Sequence, residues 1–224
     1  MQLLTTSIGR KTLMAITGQA MILFAVIHLI GNSSIFGWLP GGINAYAHHL
    51  HTLPAPIIIG FRLGLLVMFM IHVWFAIQLT LENRNGRPQQ YAIKSTQQAS
   101  FASENMIWTG SLLFIFIGYH LLHYTFQVIS PETAALKNVV ADIPNVYGMV
   151  VAGFQNFMVS LLYLVAMVTL FLHLSHGIQS SFQTLGWNND RTMCTITKLG
   201  ALAALVMFFG YVAVPLTILV KILK

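Results

Sequence analysis

The chain has 224 residues, of which 56% are hydrophobic and only 7% charged, with a net charge of +6. An average soluble domain carries roughly 25% charged residues, so a water-exposed globular surface is excluded and lipid is the solvent that remains. The basic excess does not mark nucleic acid, because the Lys and Arg residues lie in short connections between apolar runs rather than in a patch.

Five apolar stretches are long enough to cross a hydrocarbon core, which takes about 20 helical residues. The first runs from about Leu13 to Phe36 and is too long, and begins too far in, for a cleaved signal peptide. The second spans about Ile57 to Leu81, just after Pro54 and Pro56, which suit the first turn of a helix. The third covers Ile107 to Ile129 and stops before Pro131. The fourth covers Phe154 to Ser180, and the fifth Leu199 to Leu223 with Pro215 as an expected kink. Nothing is left over for a soluble domain, so residues 1–224 read as one all-α integral membrane domain of five transmembrane helices. A single cysteine, Cys194, excludes an internal disulfide framework.

Lys and Arg in the connections set the orientation. Arg10, Lys11, Arg84, Arg87, Lys94, Arg191 and Lys198 fall on one side, and Arg62, Lys137, Lys221 and Lys224 on the other. This predicts the N-terminus inside and the C-terminus outside.

Nine histidines in so apolar a chain are the anomaly. An ionisable side chain at membrane depth is costly and marks function. His28, His72, His120, His123, His173 and His176 lie inside the predicted helices, and no Asp or Glu lies deep in any of them. Imidazoles without carboxylates suit a metal or haem iron rather than a proton pathway. At a rise of about 1.5 Å per residue, His28 (about 16 residues from the inner end), His120 (about 14) and His123 (about 17) form an outer layer. His72 (about 9), His173 (about 7) and His176 (about 4) form an inner layer roughly 10 Å away on the same scale. Each layer offers a histidine from each of two helices, which is what bis-histidine ligation of two stacked b haems requires.

Several residues have plainer readings. His123 and His176 each lie three residues after another histidine and share its face; each reads first as hydrogen-bonded to a neighbouring helix. His48, His49 and His51, in the connection AYAHHLHTLPAP, divide evenly between simple solvation and a place near a quinone or haem propionate. Gly60 and Gly64 form a small-xxx-small pair that reads as helix packing, and Trp38, Trp108 and Trp187 read as interfacial belt residues.

The chain resembles the single-subunit, di-haem cytochrome b anchors of succinate dehydrogenases and quinol:fumarate reductases. The similarity runs through TGQAMILFAVIHL, MIHVWFAI and GYHLLHYTF to LHLSHGIQSSFQTLGW, the most specific segment. It implies His28 and His120 as ligands of the outer haem iron and His72 and His173 of the inner. Depth also favours His173 over His176, whereas His120 is preferred to His123 on the resemblance alone. The same likeness implies a flavoprotein and an iron–sulfur protein as cytoplasmic partners, menaquinone as substrate, and the inner membrane of a prokaryote. The chain would then be the quinone-reactive subunit, with no dicarboxylate site of its own.

Two departures bear on the reaction. Some relatives carry a glutamate two residues before the inner-haem ligand of the fourth helix, where this chain has Phe171. That tilts the reading towards succinate oxidation with menaquinone reduction. No acidic quinone-site residue is evident near the outer end either, which leaves Tyr46, His49 and His51 as the polar candidates. Two other classes compete: a membrane cytochrome b of another respiratory enzyme, which lacks SFQTLGW, and a haem-free transporter using histidine relays, which normally shows inverted repeats or broken helices. The basic segments Arg84 to Lys94 and Gly186 to Lys198 are expected to dock the iron–sulfur partner.

Overall fold

The structure is a computed structural model that describes residues 2–86, 100–130, 133 and 144–224. Arg87, Lys94, Pro131 and Lys137, each used in the sequence reading, lie outside the described residues. Within them every element is helical, so each span satisfies its backbone groups internally, as hydrocarbon demands. Besides the one-turn helices Gln2–Thr5 and Phe101–Glu104, the elements are α1 (Ser7–Ser33, closed by a 3-10 turn Ser34–Phe36), α2 (Gly42–Thr52), α3 (Ala55–Asn85), α4 (Met106–His120, continued as a π turn Leu121–Thr125), α5 (Val146–Gln155), α6 (Phe157–Thr184) and α7 (Met193–Leu219). Five of them are long and apolar enough to cross a membrane.

The helix ends shift from the hydropathy reading for physical reasons. α1 begins at Ser7 and α3 runs to Asn85, because charged residues end an apolar run without ending the backbone ladder. α6 starts at Phe157 rather than Phe154, because Asn156 interrupts the chain in an extended conformation. The Asn156 side-chain oxygen then accepts from the amides of Met158 and Val159 at 3.0 and 3.3 Å, a cap on the new helix. At the other end of α6, Gly186 takes a φ of +71°. The Gly186 amide donates to the Gln183 carbonyl and the Trp187 amide to the Phe182 carbonyl, at 3.2 and 3.0 Å. The Trp187 and Phe182 rings meet at 5.7 Å. This is a Schellman end with its apolar clasp, and it accounts for the FQTLGW spacing.

The chain divides into two compact units. One comprises Met1–Phe24, Arg62–Ser111 and Leu172–Leu205; the other comprises Ala25–Phe61, Leu112–Phe171 and Val206–Lys224. Both draw on all five spans. The first unit buries Ala15, Phe75, Leu79, Leu174, Ile178 and Ala204. The second has an aromatic-rich core in which Ile35, Ile43, Met149, Phe154, Tyr163 and Ile218 are buried. Here α2 and α5, both short and neither expected from hydropathy, are tied together by Asn44, whose side-chain oxygen accepts from the Tyr147 amide at 2.8 Å.

Among the described residues nothing lies within 4 Å of a would-be Cβ on Gly60 or Gly64, so the close helix packing expected of this pair is not seen within them. Trp38, Trp108 and Trp187 are exposed, as belt residues require. α7 continues through Pro215.

Candidate functional site

The histidines sort by unit as they sort by depth. His72, His173 and His176 belong to the first unit; His28, His120 and His123, with His48, His49 and His51, belong to the second.

In the second unit α1 and α4 bring His28 and His120 together, with ring centres 5.9 Å apart and planes at 89°. Tyr211 of α7 packs beside His28 at 6.3 Å and donates its hydroxyl to the Ala25 carbonyl at 2.6 Å. That bond fixes the turn of α1 on which His28 stands. His123 is 2% exposed and packs tilted on Tyr124, with ring centres 4.1 Å apart and planes at 32°.

In the first unit the His72 Nδ1–H donates to the Met14 carbonyl at 3.0 Å, with Thr17 Oγ1 at 3.4 Å. A carbonyl can only accept, so the proton sits on Nδ1 and the Nε2 lone pair is left to ligate. His173 Nδ1 is 3.1 Å from Thr109 Oγ1. Thr109 already directs its single hydroxyl proton at the carbonyls of Asn105 and Met106, both at 3.1 Å. Its oxygen is therefore the acceptor for His173 Nδ1–H, and His173 Nε2 is also left to ligate. Two glycines make room for these rings: a Cβ on Gly18 would lie 3.2 Å from His72 Cε1, and one on Gly110 would lie 3.4 Å from His173 Cε1. His72 and His176 both lie within electrostatic reach of His173.

The geometry fits a metal held between imidazoles. The His28–His120 separation of 5.9 Å would leave room for an ion between the two rings, so these two residues would hold the iron of a haem there. Among the described residues no three His, Cys, Asp or Glu side chains cluster. The chain offers pairs, as a haem with its own four nitrogens needs.

The quinone candidates sit on α2. Tyr46 lies against α1, where a Cβ on Gly31 would come within 2.4 Å of its ring. Burial pushes the Tyr46 hydroxyl further above its ordinary value of 10.0, so it remains a donor at neutral pH. His48, His49 and His51 are exposed. Phe171 packs on Phe208 at 5.8 Å, so the position of the relatives' glutamate is apolar here.

Thr17, Thr109, Tyr163 and Tyr211 escape the sequence reading. The signal was present: each is a hydroxyl within an apolar span, and each bonds a histidine or fixes the turn beneath one.

Residues 82–214 match the family of the succinate dehydrogenase/fumarate reductase transmembrane subunit. The match takes in His120, His173 and their partners Tyr163 and Thr109. No match is found among curated proteins or among solved structures.

Proposed function

The chain belongs to the succinate dehydrogenase/fumarate reductase transmembrane subunit family, and from that membership we propose that it is the haem b anchor that passes electrons between an iron–sulfur partner subunit and menaquinone. The observation that carries this reading is the histidine pairing. His28 and His120 face each other at 5.9 Å, and His72 and His173 each spend Nδ1 on an oxygen. A b-type haem at each pair would supply one-electron redox chemistry.

The chain's own residues hold and orient. His28 and His120 would hold the outer haem, and His72 and His173 the inner. Met14, Thr17 and Thr109 fix the ring orientation and tautomer of the inner pair, which strengthens these imidazoles as donors to iron. Tyr46 offers a protonated hydroxyl to a quinone carbonyl, with His49 and His51 on the same helix α2. Phe171 provides no carboxylate for a proton to follow the electron through that position, which favours succinate oxidation with menaquinone reduction. The N-terminus faces the cytoplasm of a prokaryotic inner membrane. The iron–sulfur subunit and its flavoprotein dock there on the basic segments from Arg84 to Lys94 and from Gly186 to Lys198.

Haem content tests the reading directly. A pyridine haemochrome assay against protein concentration should give about two b haems per chain, one for each bis-histidine pair; a ratio near zero would remove it.

A further inference from the structure

One hydroxyl serves two imidazoles. Tyr163 Oη lies 3.2 Å from His120 Nδ1 and 3.3 Å from His123 Nδ1. A neutral tyrosine donates one proton and can accept another. Both contacts are hydrogen bonds, with the O–H also used, when one Nδ1 carries a proton and donates to Oη while the other lacks it and accepts from the O–H. Two neutral imidazoles so placed hold opposite tautomers. The ring with Nδ1–H has its Nε2 lone pair available to a metal. The other carries its proton on Nε2 and has committed its Nδ1 lone pair to the tyrosine. In that arrangement only one of the two histidines is competent to ligate.

We propose that Tyr163 is a positioning residue for the outer haem, selecting His120 rather than His123 as the iron ligand and strengthening His120 as a donor. Three features support this. Tyr163 is 6% exposed and clamped edge-on by Phe154 and Phe116, with ring centres at 4.9 and 5.0 Å, so packing holds its hydroxyl in place. The π turn that follows His120, closed by the Phe126 amide on the Leu121 carbonyl at 2.7 Å, widens the helix at the turn that carries His123. Such turns concentrate at functional sites. Finally, His120 stands 5.9 Å from His28 of another span, so the selected tautomer belongs to a ring already paired with a histidine across the bundle.

This inference rests on the di-haem reading, and the test separates the two. Tyr163→Phe keeps the ring and its clamp and removes only Oη. In the assembled complex in native membranes, potentiometric titration followed optically and by low-temperature paramagnetic resonance reads each haem. Losing its acceptor makes His120 a weaker donor to ferric iron, so one of the two haem waves should move to more positive potential and its low-spin signal should change shape. The other wave should stay in place. No movement, or equal movement of both waves, overturns the proposal. Should Tyr163→Phe fail to assemble, His123→Phe preserves the stack on Tyr124 and serves instead. It should retain both low-spin signals and move the same wave by less, whereas loss of one haem would make His123 the ligand and overturn the proposal. Fewer than two low-spin signals in the wild-type complex would defeat the di-haem reading itself, whatever the variants do.

Discussion

A polar group in hydrocarbon is tolerated when it is bonded, and in these spans that requirement also does the orienting. His72 and His173 each place a proton on Nδ1 because an oxygen from another helix is there to receive it: the Met14 carbonyl for one, Thr109 Oγ1 for the other. An interhelical bond of this kind is worth about 0.6–2 kcal/mol in a membrane, too little to hold the fold alone but enough to choose a tautomer. Thr109→Val removes the acceptor while keeping the shape. The expected outcome is a positive shift of one haem potential, on the wave that Tyr163→Phe leaves unmoved, with haem content preserved. Potentiometric titration of the two variants side by side checks this. If both variants moved the same wave, His173 and His120 would serve one haem and the assignment of pairs would be wrong.

Whole elements decide which of these bonds can form, chiefly by close approach. Tyr46 meets α1 only because position 31 is glycine: an alanine there would put its Cβ within 2.4 Å of the ring. Gly31→Ala should push α2 away and lower the menaquinone-dependent rate at least tenfold relative to the rate with a soluble electron acceptor, with haem content unchanged. An unaltered ratio of the two rates would remove Tyr46 from the quinone site. At this scale the sequence was informative about what lies along one helix and silent about what lies across. Depth along the spans placed His28 in one layer with both His120 and His123, and the resemblance alone chose His120; the His28 and His120 rings lie 5.9 Å apart. Residue spacing could not separate His120 from His123, and Tyr163, the hydroxyl that lies near both, arrives from another helix 43 residues on. Nor does GYHLLHYTF announce its π turn, for no proline or glycine follows Gly118 within it. α2 escaped because it is short and keeps only Ile43 buried, with its histidines exposed.

Across the whole molecule, exposed apolar side chains dominate; none of the central apolar window of α3 is buried within the chain. Lipid suits that surface, so a water-soluble partner must be recognised by the few charges instead. Among the described residues the one ion pair joins Arg10 to Glu82, and it is partly exposed, where such pairs contribute little to stability. Arg84, Arg191 and Lys198 are exposed and pair with no carboxylate of the described residues. All three belong to the unit that holds His72 and His173. If the iron–sulfur subunit docks there as proposed, these unneutralised cations would meet acidic groups on it, and attraction between exposed charges weakens as salt screens it. Membranes carrying Arg84→Glu together with Arg191→Glu should therefore release succinate dehydrogenase activity into the supernatant at an ionic strength that leaves the wild-type complex intact. The wild type should follow only when salt is raised, and both should keep their haem in the membrane. Activity that stays with the charge-reversed membranes at every salt concentration would place the docking surface elsewhere and leave these residues with topology as their only task.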